Sequence, residues 1–482
     1  MEAFVNYLNG IIWSSALIYL CLGTGLYFSL RTRFLQVRHF GHMLKIMREG
    51  KSSEAGVSSF QALTMSLSGR VGTGNIAGVA TAIAIGGPGA VFWMWTVAFL
   101  GASTAYIEAT LAQIYNELDD NGSYRGGPAY YIEKAMGQKW YAWTFAVATI
   151  IAMGFCLPGI QANSIVAAMN NAWEIPALGT ASVLAIGLAL IVIGGVKRIA
   201  HFAQVVVPLM AAGYILIAFT VVFLNIDMVP TVTKLIINSA FGLDAGYGAI
   251  IGMAVAWGVK RGVYSNEAGQ GSGPHPAAAA EVSHPAKQGL VQAFSVYVDT
   301  LLICSATAFM ILLTGLYNVE GADGTFLYQG LPGVDVGPAY VQAAFDTVLP
   351  GFGSSVLAIA LLFFAFTTIV AYYYNAETNV MFINRKVHRP WLANLLKVLV
   401  LTSVMYGGLK SADLAWALGD VGVGLMAWLN IVAILILQRP ALVALKDYEQ
   451  QLDAGVDPQF DPQNLGIEKA DFWVDRKNAQ SQ

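Results

Sequence analysis

Eleven long apolar runs constrain the fold of this chain more than any other feature. Their approximate limits are 11–30, 58–86, 91–117, 140–170, 178–196, 204–224, 245–267, 290–316, 354–383, 391–408 and 412–437. About 20 apolar residues in a helix cross the roughly 30 Å hydrocarbon core of a bilayer. Over 482 residues, 56% are apolar and only 11% charged, against about 25% charged in soluble domains. That excludes an ordinary soluble enzyme, a disordered chain and a fibrous protein. What remains is an all-α polytopic membrane protein with eleven transmembrane helices. Cys21, Cys156 and Cys304 all lie inside apolar runs, without metal-ligand or disulfide spacing, and read as small buried hydrophobes.

Lysine and arginine placement orients the runs. The connection after the first run carries Arg31, Arg33, Arg38, Lys45, Arg48 and Lys51. Every second connection afterwards is also basic: Arg125, Lys134 and Lys139; Lys197 and Arg198; Lys287; Arg385, Lys386 and Arg389; then Arg439. The other connections hold only Lys234 and Lys410. The pattern predicts an N-terminus outside, a C-terminus in the cytoplasm and an odd number of spans. The first run has no preceding basic residue, so it reads as a retained span rather than a signal peptide. A polar tail over 438–482 is expected to be solvated and partly disordered. The net charge of −3 gives no sign of a nucleic-acid partner.

Two runs are interrupted. The second contains Ser68-Gly69-Arg70-Val71-Gly72-Thr73-Gly74-Asn75-Ile76-Ala77-Gly78, and the seventh Trp257-Gly258-Val259-Lys260-Arg261-Gly262-Val263-Tyr264-Ser265-Asn266-Glu267. Broken backbone at membrane depth is tolerated only inside protein or beside a water-filled cavity. Paired breaks in corresponding positions of two halves mark transporter binding sites. Setting the first run aside, each break opens a set of five spans of opposite orientation. The predicted divisions are an N-terminal helix and basic connector (1–57), a first repeat (58–224), an extracellular connector (225–244), a second repeat (245–437) and the tail. The competing explanation is that these glycines are close-packing devices of the GxxxG kind.

Several motifs carry a family resemblance. Gly72-Thr73-Gly74-Asn75-Ile76-Ala77-Gly78-Val79-Ala80, Gly86-Gly87-Pro88-Gly89-Ala90-Val91-Phe92-Trp93-Met94-Trp95, Gly126-Gly127-Pro128-Ala129-Tyr130-Tyr131, Gln161-Ala162-Asn163-Ser164 and Arg261-Gly262-Val263-Tyr264-Ser265-Asn266-Glu267-Ala268-Gly269 resemble the alanine or glycine:cation symporter family. The resemblance spans residues of about 10 to 440. It implies a leucine-transporter-like 5+5 inverted repeat with one extra N-terminal helix. It also implies sodium-coupled, sometimes proton-coupled, uptake of alanine or glycine across a prokaryotic plasma membrane. One departure stands out: Tyr372 occupies the place of a tryptophan in the ninth span.

Unwinding a helix frees N–H groups on one side and C=O groups on the other. A zwitterionic amino acid needs both. Thr73, Gly74 and Asn75, at a positive helix end, are the expected carboxylate set. The ammonium is expected near Trp257 and Gly258. Gln161 is a further polar contact, and Trp257, Tyr264 and Tyr372 are candidate walls. Sodium, a hard cation, takes oxygen ligands: the carbonyls of Ser68 and Val71, the hydroxyls of Thr367 and Thr368, and the carbonyl of Phe364 or Ala365. This ion set follows the fold that the resemblance implies. The ionisable residues at depth, Arg70, Glu108, Asp299, Glu377, Lys260 and Arg261, are functional candidates by default: for a gate, Arg70 or Arg261 is expected to pair with Glu377 or Glu108 on the cytoplasmic side, and Glu108 and Asp299 alternatively sit near the interface in water. His275 and His284 read as loop residues.

The rivals are a transporter of another amino acid such as glutamine or serine, coupled to sodium or protons, and a channel. No nucleophile elbow, zinc helix or catalytic carboxylate pair suggests an enzyme, and no cofactor is expected beyond the co-transported ion.

Overall fold

The computed structural model describes residues 2–47, 53, 55–120, 122–192, 195–244, 246–321, 323–387 and 389–480. Arg48 and Lys51 of the basic connector lie outside these, as does the side chain of Lys197. The main helices are α1 (Glu2–Ile12), α2 (Ser15–Arg31), α3 (Ser59–Arg70), α4 (Val79–Gly86), α5 (Gly89–Ile114), α6 (Lys139–Trp173), α7 (Ala177–Val192) and α8 (Gly195–Leu224). The chain continues through α9 (Ile251–Asn266), α10 (Pro285–Thr314), α11 (Gly353–Val387), α12 (Trp391–Leu409), α13 (Ala412–Asp453) and α14 (Asp471–Gln480). Two small antiparallel hairpins, Glu117–Leu118 with Tyr124–Arg125 and Asn318–Glu320 with Phe326–Gln329, sit in connections.

Among the described residues, seven helices are long and apolar enough to cross a bilayer: α5, α6, α8, α10, α11, α12 and α13. The pair α1–α2, bent by 42°, makes an eighth. The sequence predicts eleven spans. The difference lies in the runs that yield shorter helices. Residues 58–86 are divided between α3 and the Gly74–Gly86 stretch, residues 178–196 give the 16-residue α7, and residues 245–267 give the 16-residue α9.

The core forms around α5, which packs along α2, α9 and α10, and around α6, which packs along α11 and α12. α3 lies between α8 and α11. Glycines set the closest approaches. A Cβ on Gly289 of α10 would sit 2.2 Å from Thr110 Oγ1 of α5, and one on Gly407 of α12 would sit 2.2 Å from the Gly159 Cα of α6. Backbones that touch so closely gain dispersion contacts over lipid, where the hydrophobic effect cannot drive helix association.

The tail departs from expectation. α13 runs through residue 437 to Asp453, and the residues beyond it fold back against the loop after α9. Phe460 N donates to Ser283 O at 3.0 Å, Lys287 pairs with Asp457 at 2.7 Å, and Arg476 pairs with Glu281 at 2.5 Å. Trp473 is 4% exposed, and its indole N–H donates to Gln113 O at 2.8 Å. Phe460, Phe472 and Trp473 are the physical cause: they supply the apolar area that a disordered tail lacks.

Candidate functional site

α3 ends at Arg70, and Val71 leaves the helical region at φ −80°, ψ 89°. Helix resumes in a π-helical turn over Gly74–Gly78 and continues as α4. Four of the freed backbone groups find side-chain partners. Gly72 N donates to Asn75 Oδ1 at 2.8 Å and Thr73 N to Gln161 Oε1 at 3.0 Å. On the other side, Thr368 Oγ1 of α11 donates to Ser68 O at 2.8 Å and lies 3.3 Å from Val71 O and 3.0 Å from Phe364 O. A Cβ on Gly72 would sit 2.4 Å from Thr368 Oγ1 and 2.9 Å from Gln161 Oε1. Glycine is therefore required where this backbone passes between two side-chain oxygens.

Of the expected ion set, Ser68, Val71 and Thr368 thus converge. Thr367 does not join them: its hydroxyl donates to Phe364 O at 2.9 Å and faces Met210 Sδ at 3.9 Å. The α11 carbonyl at the cluster is that of Phe364, not Ala365.

The substrate set also gathers, with one exception. Gln161 Nε2 donates to the Tyr264 hydroxyl at 3.4 Å, and the Tyr372 hydroxyl interacts with the same glutamine. Tyr264 packs against Gly74, where a Cβ would be 3.1 Å from Cδ1. The Thr73 hydroxyl is buried without a hydrogen-bond partner. Thr73, Asn75, Gln161, Tyr264 and Tyr372 are all at most 3% exposed, so the site is closed to solvent.

The exception is the pair Trp257 and Gly258. α9 is continuous from Ile251 to Asn266, so no carbonyls are freed at 257–258. Gly258 and Gly262 instead present one face to α5, where Cβ atoms would lie 2.5 Å from Ala90 O and 2.4 Å from Val97 Cγ1. They are packing glycines at GxxxG spacing. Trp257 sits apart, its ring 4.8 Å from Lys260 Nζ and 5.3 Å from the Arg261 guanidinium. The chain breaks later, at Glu267 (φ 57°), and passes through turns to a short helix over Pro274–Ala278.

The expected gate pairs do not form. Arg261 and Lys260 both pair with Asp420 of α13, Lys260 at 2.7 Å, and Trp13 Nε1 donates to Asp420 O at 2.8 Å. The Arg261 guanidinium lies over the rings of Tyr264 and Trp416, at 5.3 and 4.6 Å. Glu377 instead meets Arg125 of the first hairpin at 3.4 Å, and Arg125 also holds Asp119 at 3.0 Å. Arg70 donates to Ser295 Oγ and, at 3.3 Å, to Gln292 O. Glu108 accepts from Asn430 Nδ2 at 2.7 Å and Gly269 N at 3.3 Å. The cause is placement: Asp420 on α13 supplies a buried carboxylate beside α9, and the hairpin supplies Arg125 beside the far half of α11.

Asp420 and Trp416 are functional candidates that the sequence reading misses, and Asp299 and Glu108 are both fully buried rather than near the interface in water. Asp299, fully buried in a π-helical stretch of α10, accepts from Asn75 Nδ2 at 2.6 Å, Ser265 Oγ at 3.1 Å and Thr300 Oγ1 at 2.7 Å. Its signal was present, because an aspartate inside an apolar run marks function by default. Asp420 carried the same signal. Trp416, 5.1 Å centroid to centroid from Tyr264, carried none beyond being aromatic.

The description of the sodium:alanine symporter family matches residues 1–462. The chain belongs to this family. It is 61% identical to the protein YrbD of Bacillus subtilis (strain 168), over 98% of either chain. It is 54% identical to the sodium/proton-dependent alanine carrier protein of Bacillus sp. (strain PS3), over 89% of this chain and 97% of that one. Members of this family are transporters, not enzymes. Among solved structures, the manganese transporter of Eremococcus coleocola superposes with a TM-score of 0.50 at 13% identity, covering 88% of this chain and 94% of that one. At that identity the likeness speaks for a transporter fold alone.

Proposed function

We propose that this protein imports alanine, or a similarly small neutral amino acid such as glycine, together with sodium by alternating access. The observation that carries the reading is the Val71–Thr73 break. Its carbonyl side meets Thr368, and its amide side meets Asn75 and Gln161. Sodium is held by the carbonyls of Ser68, Val71 and Phe364 with the Thr368 hydroxyl. The amino-acid carboxylate takes the Thr73, Gly74 and Asn75 end of the resumed helix. The ammonium lies toward Asp299, whose carboxyl already accepts from Asn75. Gln161, Tyr264, Tyr372 and Trp416 wall the small side chain. Arg261 with Asp420 closes one side, and Arg125 with Glu377 the other.

The architecture proposed is eleven spans in a 5+5 inverted repeat behind an extra N-terminal helix. The seven long helices, the bent α1–α2 pair, the broken α3–α4 span, α7 and α9 together account for eleven. The N-terminus faces outward and the tail the cytoplasm, in keeping with the basic connections. One sodium ion at about 100 mV supplies roughly 2.3 kcal/mol, and a tenfold sodium gradient about 1.4 kcal/mol more. Their sum supports roughly a 500-fold alanine gradient.

Labelled alanine uptake into proteoliposomes tests this, with imposed sodium or proton gradients and competition by glycine, serine and glutamine. Accumulation against the alanine gradient, driven by external sodium and competed best by small amino acids, is expected. Entry only down alanine's own gradient, indifferent to sodium, overturns the reading.

A further inference from the structure

The membrane interior of this protein holds more acid than base. Glu108, Glu267 and Asp299 are each at most 2% exposed and cluster around one cation, Arg70. No ion pair within 4.0 Å joins Arg70 to any of them among the described residues. The guanidinium spends Nη1 on Ser295 and Gln292, and its Nε and Nη2 are buried without partners. A buried carboxylate that lacks both a cation and hydrogen bonds is too costly to remain ionised.

The three acids differ in what compensates them. Asp299 accepts three hydrogen bonds, and both oxygens of Glu108 accept one. Glu267 has least. Its Oε1 is buried with no hydrogen-bond partner. It caps the C-terminal end of α9 in a left-handed conformation, where unsatisfied carbonyls disfavour negative charge. A non-glycine residue held at φ 57° stores strain of a kind that gathers at functional sites. The charged and titratable groups around it are Arg70 on α3, Glu108 on α5, Asp299 on α10, Tyr372 on α11 and Tyr264 on α9 itself. Arg70 is the one cation among them.

We propose that Glu267 is a proton-binding site of the transport cycle, separate from the sodium and amino-acid sites, and that it carries one proton inward with each amino acid. In the occluded state shown here its carboxyl is neutral. When the cytoplasmic side opens, the O–H bond breaks and the proton passes to cytoplasmic water. The carboxylate left behind is met by the Nε–H and Nη2–H groups of Arg70 that have no partner in the closed state. Its position suits this, because Glu267 begins the turn segment that links α9 to the Pro274–Ala278 helix. The proposal rests on the symport reading for the movement of amino acid but not for the protonation itself, and two measurements separate them.

The first uses the full chain in proteoliposomes loaded with a pH-sensitive dye, with equal sodium on both sides and the potential clamped. Added alanine is expected to acidify the lumen. Glu267→Gln is expected to retain sodium-dependent alanine counterflow while losing at least nine-tenths of the acidification. Acidification that persists in Glu267→Gln, or that is lost in Glu108→Gln instead, overturns the proposal, as does its absence from the unaltered protein. The second is infrared spectroscopy of the purified protein. A protonated-carboxyl band is expected that Glu267→Gln removes and Asp299→Asn leaves. A band that survives in Glu267→Gln overturns the assignment even if that variant does not transport. Failure of sodium-driven uptake with the band intact would instead sink the symport reading alone.

Discussion

Two stretches that both set glycine beside polar residues inside an apolar run, 68–78 and 257–267, fold differently. Each mixes glycine, four in the first and two in the second, with arginine, serine and asparagine. The first unwinds and the second stays helical up to its end. Glycine alone does not free a backbone, because Gly258 and Gly262 lie in continuous helix. What separates them is the presence of side chains able to take over the lost backbone bonds. Around Val71–Thr73, Asn75, Gln161 and Thr368 supply an acceptor for each freed amide and a donor for the carbonyls. Around Gly258 and Gly262 the neighbours are Ala90, Trp93, Met94 and Val97 of α5, and the one side-chain donor among them, the Trp93 indole, is spent on Ala240 O. There the helix keeps its own bonds, and its polar residues turn to Asp420. An orphaned buried backbone group costs about as much as a lost hydrogen bond, so the break forms only where substitutes exist.

The largest effect is expected from alanine at the two glycines that stand for the two regions. Gly72→Ala places a Cβ 2.4 Å from Thr368 Oγ1 and should abolish sodium-driven uptake, by about 100-fold or more, with the fold retained. Gly258→Ala meets the backbone oxygen of Ala90 instead. It should cost about 1–3 kcal/mol of stability through overpacking, read as a lowered unfolding temperature in detergent with unchanged sodium affinity. If Gly258→Ala shifts sodium affinity at normal stability, the contrast fails. Asn75→Ala strands the Gly72 amide and removes a substrate group, so a loss of about 10- to 100-fold in alanine uptake is expected at about 1–3 kcal/mol per unsatisfied donor. Thr368→Ala should raise the sodium concentration for half-maximal uptake about tenfold, a single charge-assisted contact of about 1.4 kcal/mol. Thr367→Ala should leave it within about twofold, and an equal effect of the two would dissolve the proposed ion site. The smallest effect concerns the tail. A hydrogen bond from Lys477, at 2.5 Å, holds the Asp461 carboxyl below the usual carboxylate range. That contribution is present above the ordinary aspartate pKa of about 3.9 and is lost as pH falls through the depressed value. Tail protection from proteolysis should therefore weaken slightly only in acid, and Asp461→Asn should remove that pH dependence.

Much of the first break was readable in advance, because threonine, glycine and asparagine inside an apolar run have few other uses. The continuity of the second stretch is not legible in sequence, for a physical reason. Packing glycines and unwinding glycines look identical until the partner helix is known, and Ala90 and Val97 lie some 170 residues away in sequence. The long helices were legible from hydropathy alone. The charge pairs were not: Arg261 with Asp420 and Arg125 with Glu377 depend on which helix faces which, and one-dimensional spacing does not carry that. The docked tail left a trace in Phe460, Phe472 and Trp473, outweighed by its overall polarity.

Gly72 has one more consequence. The same three-residue backbone segment leans on Thr368 through one carbonyl and on Gln161 through one amide, with no side chain between them to absorb a displacement. With ion and amino acid at the proposed sites, both pull on a shared element, and their binding free energies are linked. Linkage is reciprocal: whatever factor sodium adds to the affinity for alanine, alanine must return to sodium. Two titrations, each performed with the other occupant present and absent, must close the same thermodynamic square.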